Sequence, residues 1–155
     1  MSEGKIVAIC LAPSGAAKLV EVEAVRAVPG RGLEGDRYFE GKGSFPTKPD
    51  SPREVTFIEK ESLDAVERES GIQMEPGDSR RNVVTEGVPL NHLVDKEFSF
   101  GEVIFRGIRL CEPCDHMEKL SGKPGAREAL RHRGGLRAAI VSEGVIRVGD
   151  PFGRE

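Results

Sequence analysis

Cys111-Glu-Pro-Cys114, followed by Asp115-His-Met-Glu118, is the stretch of this sequence best equipped for chemistry. In Cys-x-x-Cys settings and at helix N-termini a thiol pKa can fall from ~8.5 to about 3.5–7.5. Pro113 has no backbone donor and fixes the local turn. A short helix starting after Cys114 would turn its first amides toward the sulfur and favour the thiolate. Such a thiolate attacks a persulfide or disulfide, or binds a soft metal, at neutral pH. Spacing alone leaves a second reading open, two half-buried thiols at a strand end. Structural zinc is a poorer match, because Cys111, Cys114 and His116 offer three ligands where four are usual. Neither His92 nor His132 belongs to a second pair of that kind.

Basic side chains form the next group. Residues 119–137 carry Lys119, Lys123, Arg127, Arg131, Arg133 and Arg137 against Glu128 alone. Arg127 and Arg131 are spaced i, i+4 and share a face of a helix expected from Pro124 to Gly134-Gly135. With Lys123 and Arg137 they form a candidate clamp for an anionic ligand, and a solvated charged face is the competing reading. Arg80-Arg81-Asn82 opens an expected strand, so at most one arginine faces a given pocket. An arginine there offers a planar fork for phosphate or carboxylate, and surface charge beside a turn-satisfying Asn82 is the competing and favoured reading. Gly32-Leu-Glu-Gly-Asp36-Arg37 is either a ligand-contacting loop or a tight turn braced by its Asp–Arg pair. Cys10, inside an apolar run, is expected in the core.

These groups must be held by mostly β elements. Ile6–Leu11 is an apolar strand, and Val20 to Val28 alternates with the period of two that marks a half-buried one. Residues 40–53 are turn-formers and polar side chains, expected as a flexible surface loop. Glu54–Ile58 reads as a strand leading into a helix over 59–70, capped by Gly71. Further strands are expected at 80–85, 97–101 and 103–110, with a single helical turn at 88–93. Residues 136–141 and 145–148 are expected to close the chain as a hairpin. About eight strands with few intervening helices predict a mainly β, β-rich α+β fold, a largely antiparallel barrel with short helical insertions.

The 155 residues suit one domain spanning 1–155, with a core from about 5 to 150. Net charge is −3, and there are seven Phe, one Tyr and no Trp, a composition that argues against a nucleic-acid binder. No apolar run reaches the ~20 residues that span a bilayer, and no signal-peptide core opens the chain, so a cytoplasmic protein is expected. Three cysteines, an odd number, do not make a secreted disulfide framework.

Taken in order, several segments resemble the MOSC family, the domain named for the C-terminal part of molybdenum-cofactor sulfurases, in its short free-standing form. They are Gly32-Leu-Glu-Gly-Asp-Arg-Tyr-Phe39, Val55-Thr-Phe-Ile-Glu59, Arg80-Arg-Asn-Val-Val84, Phe98 to Gly101, Glu112-Pro-Cys114, and Gly135-Leu-Arg-Ala through Val148-Gly-Asp150. The resemblance implies a MOSC-type β-barrel with a few short helices. It also implies a role as sulfur carrier or molybdenum-cofactor (molybdopterin) binder built around one cysteine, here Cys114. In the sulfurases a separate pyridoxal-phosphate domain supplies the sulfur, and no such domain is found in this sequence. A cysteine desulfurase is then the expected donor, and a molybdoenzyme or metal–sulfur protein the expected acceptor. Cys111 becomes a resolving or neighbouring thiol. Asp36, Arg37, Arg81, Asn82, Arg127, Arg131 and Arg137 become candidate cofactor contacts. In amidoxime-reducing relatives the matching cysteine ligates molybdenum, so Cys114 is also the candidate metal ligand. That leaves two alternatives, a small molybdenum-dependent oxidoreductase domain and a non-catalytic cofactor-binding module.

Overall fold

The computed structural model describes residues 4–13, 19–37, 39, 54–112 and 115–154. The first apolar run forms β1 (Lys5–Leu11) and buries Ile6, Ala8, Ile9 and Cys10. The alternating stretch after it makes two strands where one was expected. β2 (Val20–Val22) and β3 (Ala24–Val28) are separated by a bend at Glu23, which sends them into different sheets. β4 (Gly32–Leu33) pairs with β3. The loop expected at 40–53 lies outside the described residues.

β5 (Val55–Glu59) runs directly into α1 (Lys60–Ser70), which buries Leu63 and Val66 and ends on Gly71 at φ 70°. A 3-10 turn at Pro76–Ser79 precedes β6 (Val83–Glu86), and another at Leu90–His92 precedes β7 (Glu97–Phe100) and β8 (Val103–Leu110). Then come α2 (Asp115–Ser121), α3 (Ala126–Ala129), β9 (Leu136–Ile140), β10 (Gly144–Arg147) and β11 (Phe152–Arg154).

Eight strands form one curled sheet in the order β11-β7-β8-β9-β5-β6-β1-β2, and β10-β3-β4 form a smaller one. Among the described strands every pairing is antiparallel except β5–β6. A parallel pair needs a crossover rather than a tight turn, and α1 supplies it. The expected closing hairpin does not form. Val141 N–H donates to Ile104 O at 2.7 Å and Ser142 Oγ accepts the Ile104 N–H at 3.0 Å. These bonds end β9 against β8, and the chain then crosses to pair β10 with β3. The expected helix from Pro124 shrinks to α3, because Gly125 and His132 take left-handed conformations at φ 89° and 66°. Arg80 also lies outside any strand, left-handed at φ 62°, so strand alternation does not govern the Arg80–Arg81 pair.

One face of the large sheet closes on Phe57, Phe98, Phe100 and Phe105, with Phe57 5.2–5.7 Å from the other three ring centroids. Leu136, Ala138 and Ile140 of β9 join this core, so Arg137 points to the opposite face. That face carries Ala8, Ile58 and Val84 against Leu63, Val66, Met117, Ala126 and Leu130 of the helical layer. A bulge between Gly107 and Arg109 bends β8 near its end. A Cβ at Gly107 would collide with Leu93 O, so glycine lets the 93–96 segment pack onto the bulged strand.

Candidate functional site

β8 ends where Cys111 N–H donates to Gly135 O at 2.8 Å, the last rung of its ladder with β9. Gly135 adopts φ 112°, and a Cβ there would collide with Phe57 O, so only glycine brings this turn against β5. Cys111 is a buried free thiol at this junction. Glu112 follows and is held twice. Its carbonyl accepts Arg81 Nη2 at 3.3 Å, and its carboxylate accepts the His132 N–H at 2.9 Å with Nδ1 3.3 Å away. Arg81 Nε donates to Gly134 O at 2.6 Å, so one guanidinium ties the strand end to the turn before β9. Arg133 anchors that turn to α1 through Glu69, at 3.1 and 3.3 Å. This pairing holds the Glu69 carboxyl below its ordinary range. A pocket of about 150 Å³ opens between Asn91, Leu110, Cys111, Glu112, His132 and Gly134.

Cys114 lies outside the described residues. The chain leaves β8 through Cys111 and Glu112 and re-enters as α2 at Asp115, so a helix does begin directly after that cysteine in the sequence.

The remaining candidates are spread over the fold. Asn82 is fully buried. Its Oδ1 accepts the Thr56 N–H at 3.1 Å and the Thr56 hydroxyl at 3.2 Å, while Nδ2 donates to Cys10 O at 3.1 Å. The amide therefore clips β1 and β5 to the start of β6. Asp36 and Arg37 are likewise buried. Asp36 Oδ1 accepts Ala12 N–H at 2.9 Å and Arg37 Nη1 at 3.2 Å, and Arg37 Nη2 reaches Arg80 O at 3.2 Å. They brace the exit of β1 against the turn at Arg80. Arg127 is exposed on α3, whereas Arg131 lies beyond it and pairs with Glu128 at 2.9 Å. Arg137 is buried on the helix-facing side of β9, in register with Thr56.

Sequence reading missed the Glu112–His132 pair. Its only local signal is a histidine just ahead of Gly134-Gly135, since the contact joins residues twenty positions apart. It also missed Glu54, a buried carboxylate whose Oε1 accepts the Gly30 and Ile140 N–H groups at 3.0 and 3.1 Å.

A second cleft, of about 580 Å³, opens between the Glu75–Arg80 turn, Glu21 and the end of α2. Glu21, Glu75 and Asp78 line it against Arg80 and Lys123, and Lys123 Nζ lies 3.8 Å from Asp78 Oδ2. No group of three or more His, Cys, Asp or Glu side chains among the described residues is arranged to hold a metal ion. Nor does any helix among them have the length and apolar character to cross a membrane.

A family model, the MOSC domain, matches residues 46–152. Solved structures share the fold at low identity. The YuaD protein from Bacillus subtilis is 17% identical with a TM-score of 0.80, over 97% of this chain and 94% of that one. YiiM from Geobacillus stearothermophilus is 16% identical at 0.74, over 98% and 75%. YiiM from Escherichia coli is 14% identical at 0.68, over 97% and 69%. No curated protein matches the sequence.

Proposed function

Because the chain belongs to the MOSC family, we propose that it is a sulfur carrier in which Cys114 accepts sulfur as a persulfide and passes it on. The observation that supports this reading is the mount on which that cysteine is strung. Cys111 is tied to Gly135, Glu112 is gripped through both carbonyl and carboxylate, and α2 resumes at Asp115. Two anchored elements therefore flank Cys114 in the chain. Loading is redox-neutral transfer. The Cys114 thiolate attacks the outer sulfur of a donor persulfide, and the donor's sulfur–sulfur bond breaks. The donor leaves as a thiolate while the terminal sulfur, with its proton, stays on Cys114. A cysteine desulfurase is the donor class, and a molybdopterin or metal–sulfur centre on another protein is the recipient.

The MOSC domain is associated with the molybdenum cofactor, whose phosphate would need a cationic seat. The larger cleft sets three carboxylates against two cations, an unfavourable lining for a phosphate.

The test compares Cys114→Ser with Cys111→Ser after incubation with a desulfurase and cysteine, measuring sulfane sulfur released by cyanide. Cys114→Ser is expected to lose more than nine-tenths of it and Cys111→Ser to keep most. Equal loading of both variants would remove the assignment to Cys114.

A further inference from the structure

The cleft of about 580 Å³ between the Glu75–Arg80 turn, β2 and the end of α2 has the volume of a small-molecule site. Charges of both signs converge on it. Arg80 lines the cleft although only 7% exposed, and its backbone is left-handed at φ 62°. That conformation is costly for a residue with a side chain, and such costs concentrate at ligand sites. It is fixed from both sides, because Arg80 N–H donates to Gly77 O at 3.1 Å and Arg80 O accepts Arg37 Nη2 at 3.2 Å. Lys123 is the second cation, half-buried, with Nζ 3.8 Å from Asp78 Oδ2.

The carboxylates come from two elements. Glu75 and Asp78 each accept the other's backbone N–H in a reciprocal cap, which fixes both on the turn. A carboxylate offers about four lone-pair sites, so each keeps capacity for a further donor. Glu21 lines the same cleft from the edge strand β2. A simple anion placed here meets three carboxylates, and a simple cation meets Arg80 and Lys123. A molecule carrying both an ammonium and a carboxylate satisfies both sets, and Leu19 and Leu120 flank its apolar part. We propose that this cleft binds a short peptide with free termini, its ammonium on Glu21, Glu75 and Asp78 and its carboxylate on Arg80 and Lys123. The inference is independent of the carrier reading and uses none of its residues.

The experiment titrates the ¹⁵N-labelled protein with the dipeptide Ala-Leu, N-acetyl-Ala-Leu and Ala-Leu amide, following backbone amide shifts. Ala-Leu is expected to give saturable shifts at Gly77, Asp78 and Ser121, and each blocked form to bind at least about fivefold more weakly. Lys123→Gln should weaken Ala-Leu about two- to fivefold and leave the amide unchanged. Glu21→Gln should weaken Ala-Leu by a similar factor and leave the N-acetyl form unchanged. The blocked peptides are compared on the native protein, so the outcome does not depend on either variant folding. Absence of saturable shifts at those residues up to about 10 mM Ala-Leu overturns the proposal. Binding of either blocked form as tight as that of Ala-Leu overturns it equally, since one charge would then suffice.

Discussion

Cys10 sits on β1 with no exposed surface, and burial, reinforced by Glu21 on the neighbouring strand, pushes its thiol up to about 12. A thiol so placed stays protonated at neutral pH and attacks nothing. The native protein should therefore leave Cys10 unmodified by iodoacetamide at pH 8, while unfolding in urea exposes it fully. Native-state labelling of Cys10 would contradict the buried assignment. The pH consequence follows in sign. The folded value lies above the unfolded one near 9.0, so this group's contribution is intact below about pH 9 and is lost as pH rises toward about 12. Cys10 was legible in the sequence because an apolar run is a local signal. The ties of Arg81 to Glu112 and Gly134 were not, since those acceptors lie 31 and 53 positions away. The contacts of Asn82 were no more legible. Its amide is spent on Thr56 and Cys10, contacts that only the strand order creates.

α1 shows what an element can carry beyond its own packing. Glu59, its N-cap residue, makes no side-chain cap bond to the helix. Burial, and then the charge of Glu61, raise its carboxyl above the ordinary range, while the Leu90 N–H and His92 partly oppose them. A raised carboxyl stabilises the fold below its unfolded value and loses that contribution as pH climbs through the folded one. At neutral pH the ionised form is the strained one. Glu59→Gln keeps an acceptor for Leu90 and should raise the melting temperature at pH 7 by up to about 3 °C, a gain limited by solvent screening. Below about pH 4, variant and native protein should melt alike. A lower melting temperature for the variant at pH 7 would count against this account. Elements with a strong local period, β1, β5, α1 and β8, were legible in the sequence. β4 and β11, of two and three residues, were not, because pairing rather than propensity makes them strands. The long helix expected after Pro124 failed where Gly125 and His132 turn left-handed, which no apolar period encodes.

At the scale of the whole molecule the β-rich class was readable from strand density, but the path of the chain between sheets was not. The bend at Glu23 and the crossing after Ser142 send β2 and β3, and β9 and β10, into separate sheets. Those crossings leave β9 beside both β5 and β8, with the Gly134–Gly135 turn against Phe57, Arg81 and Cys111. The fold thereby gathers distant segments at the end of β8, the mount for the proposed carrier cysteine. The most direct test of that account follows the native chain itself. After incubation with a desulfurase and cysteine, the peptide containing Cys111 and Cys114 is isolated under non-reducing conditions and sequenced by mass spectrometry. The account predicts a gain of about 32 Da localised to Cys114, removable by a reductant. An unchanged mass at Cys114, with the donor demonstrably loaded, would contradict it.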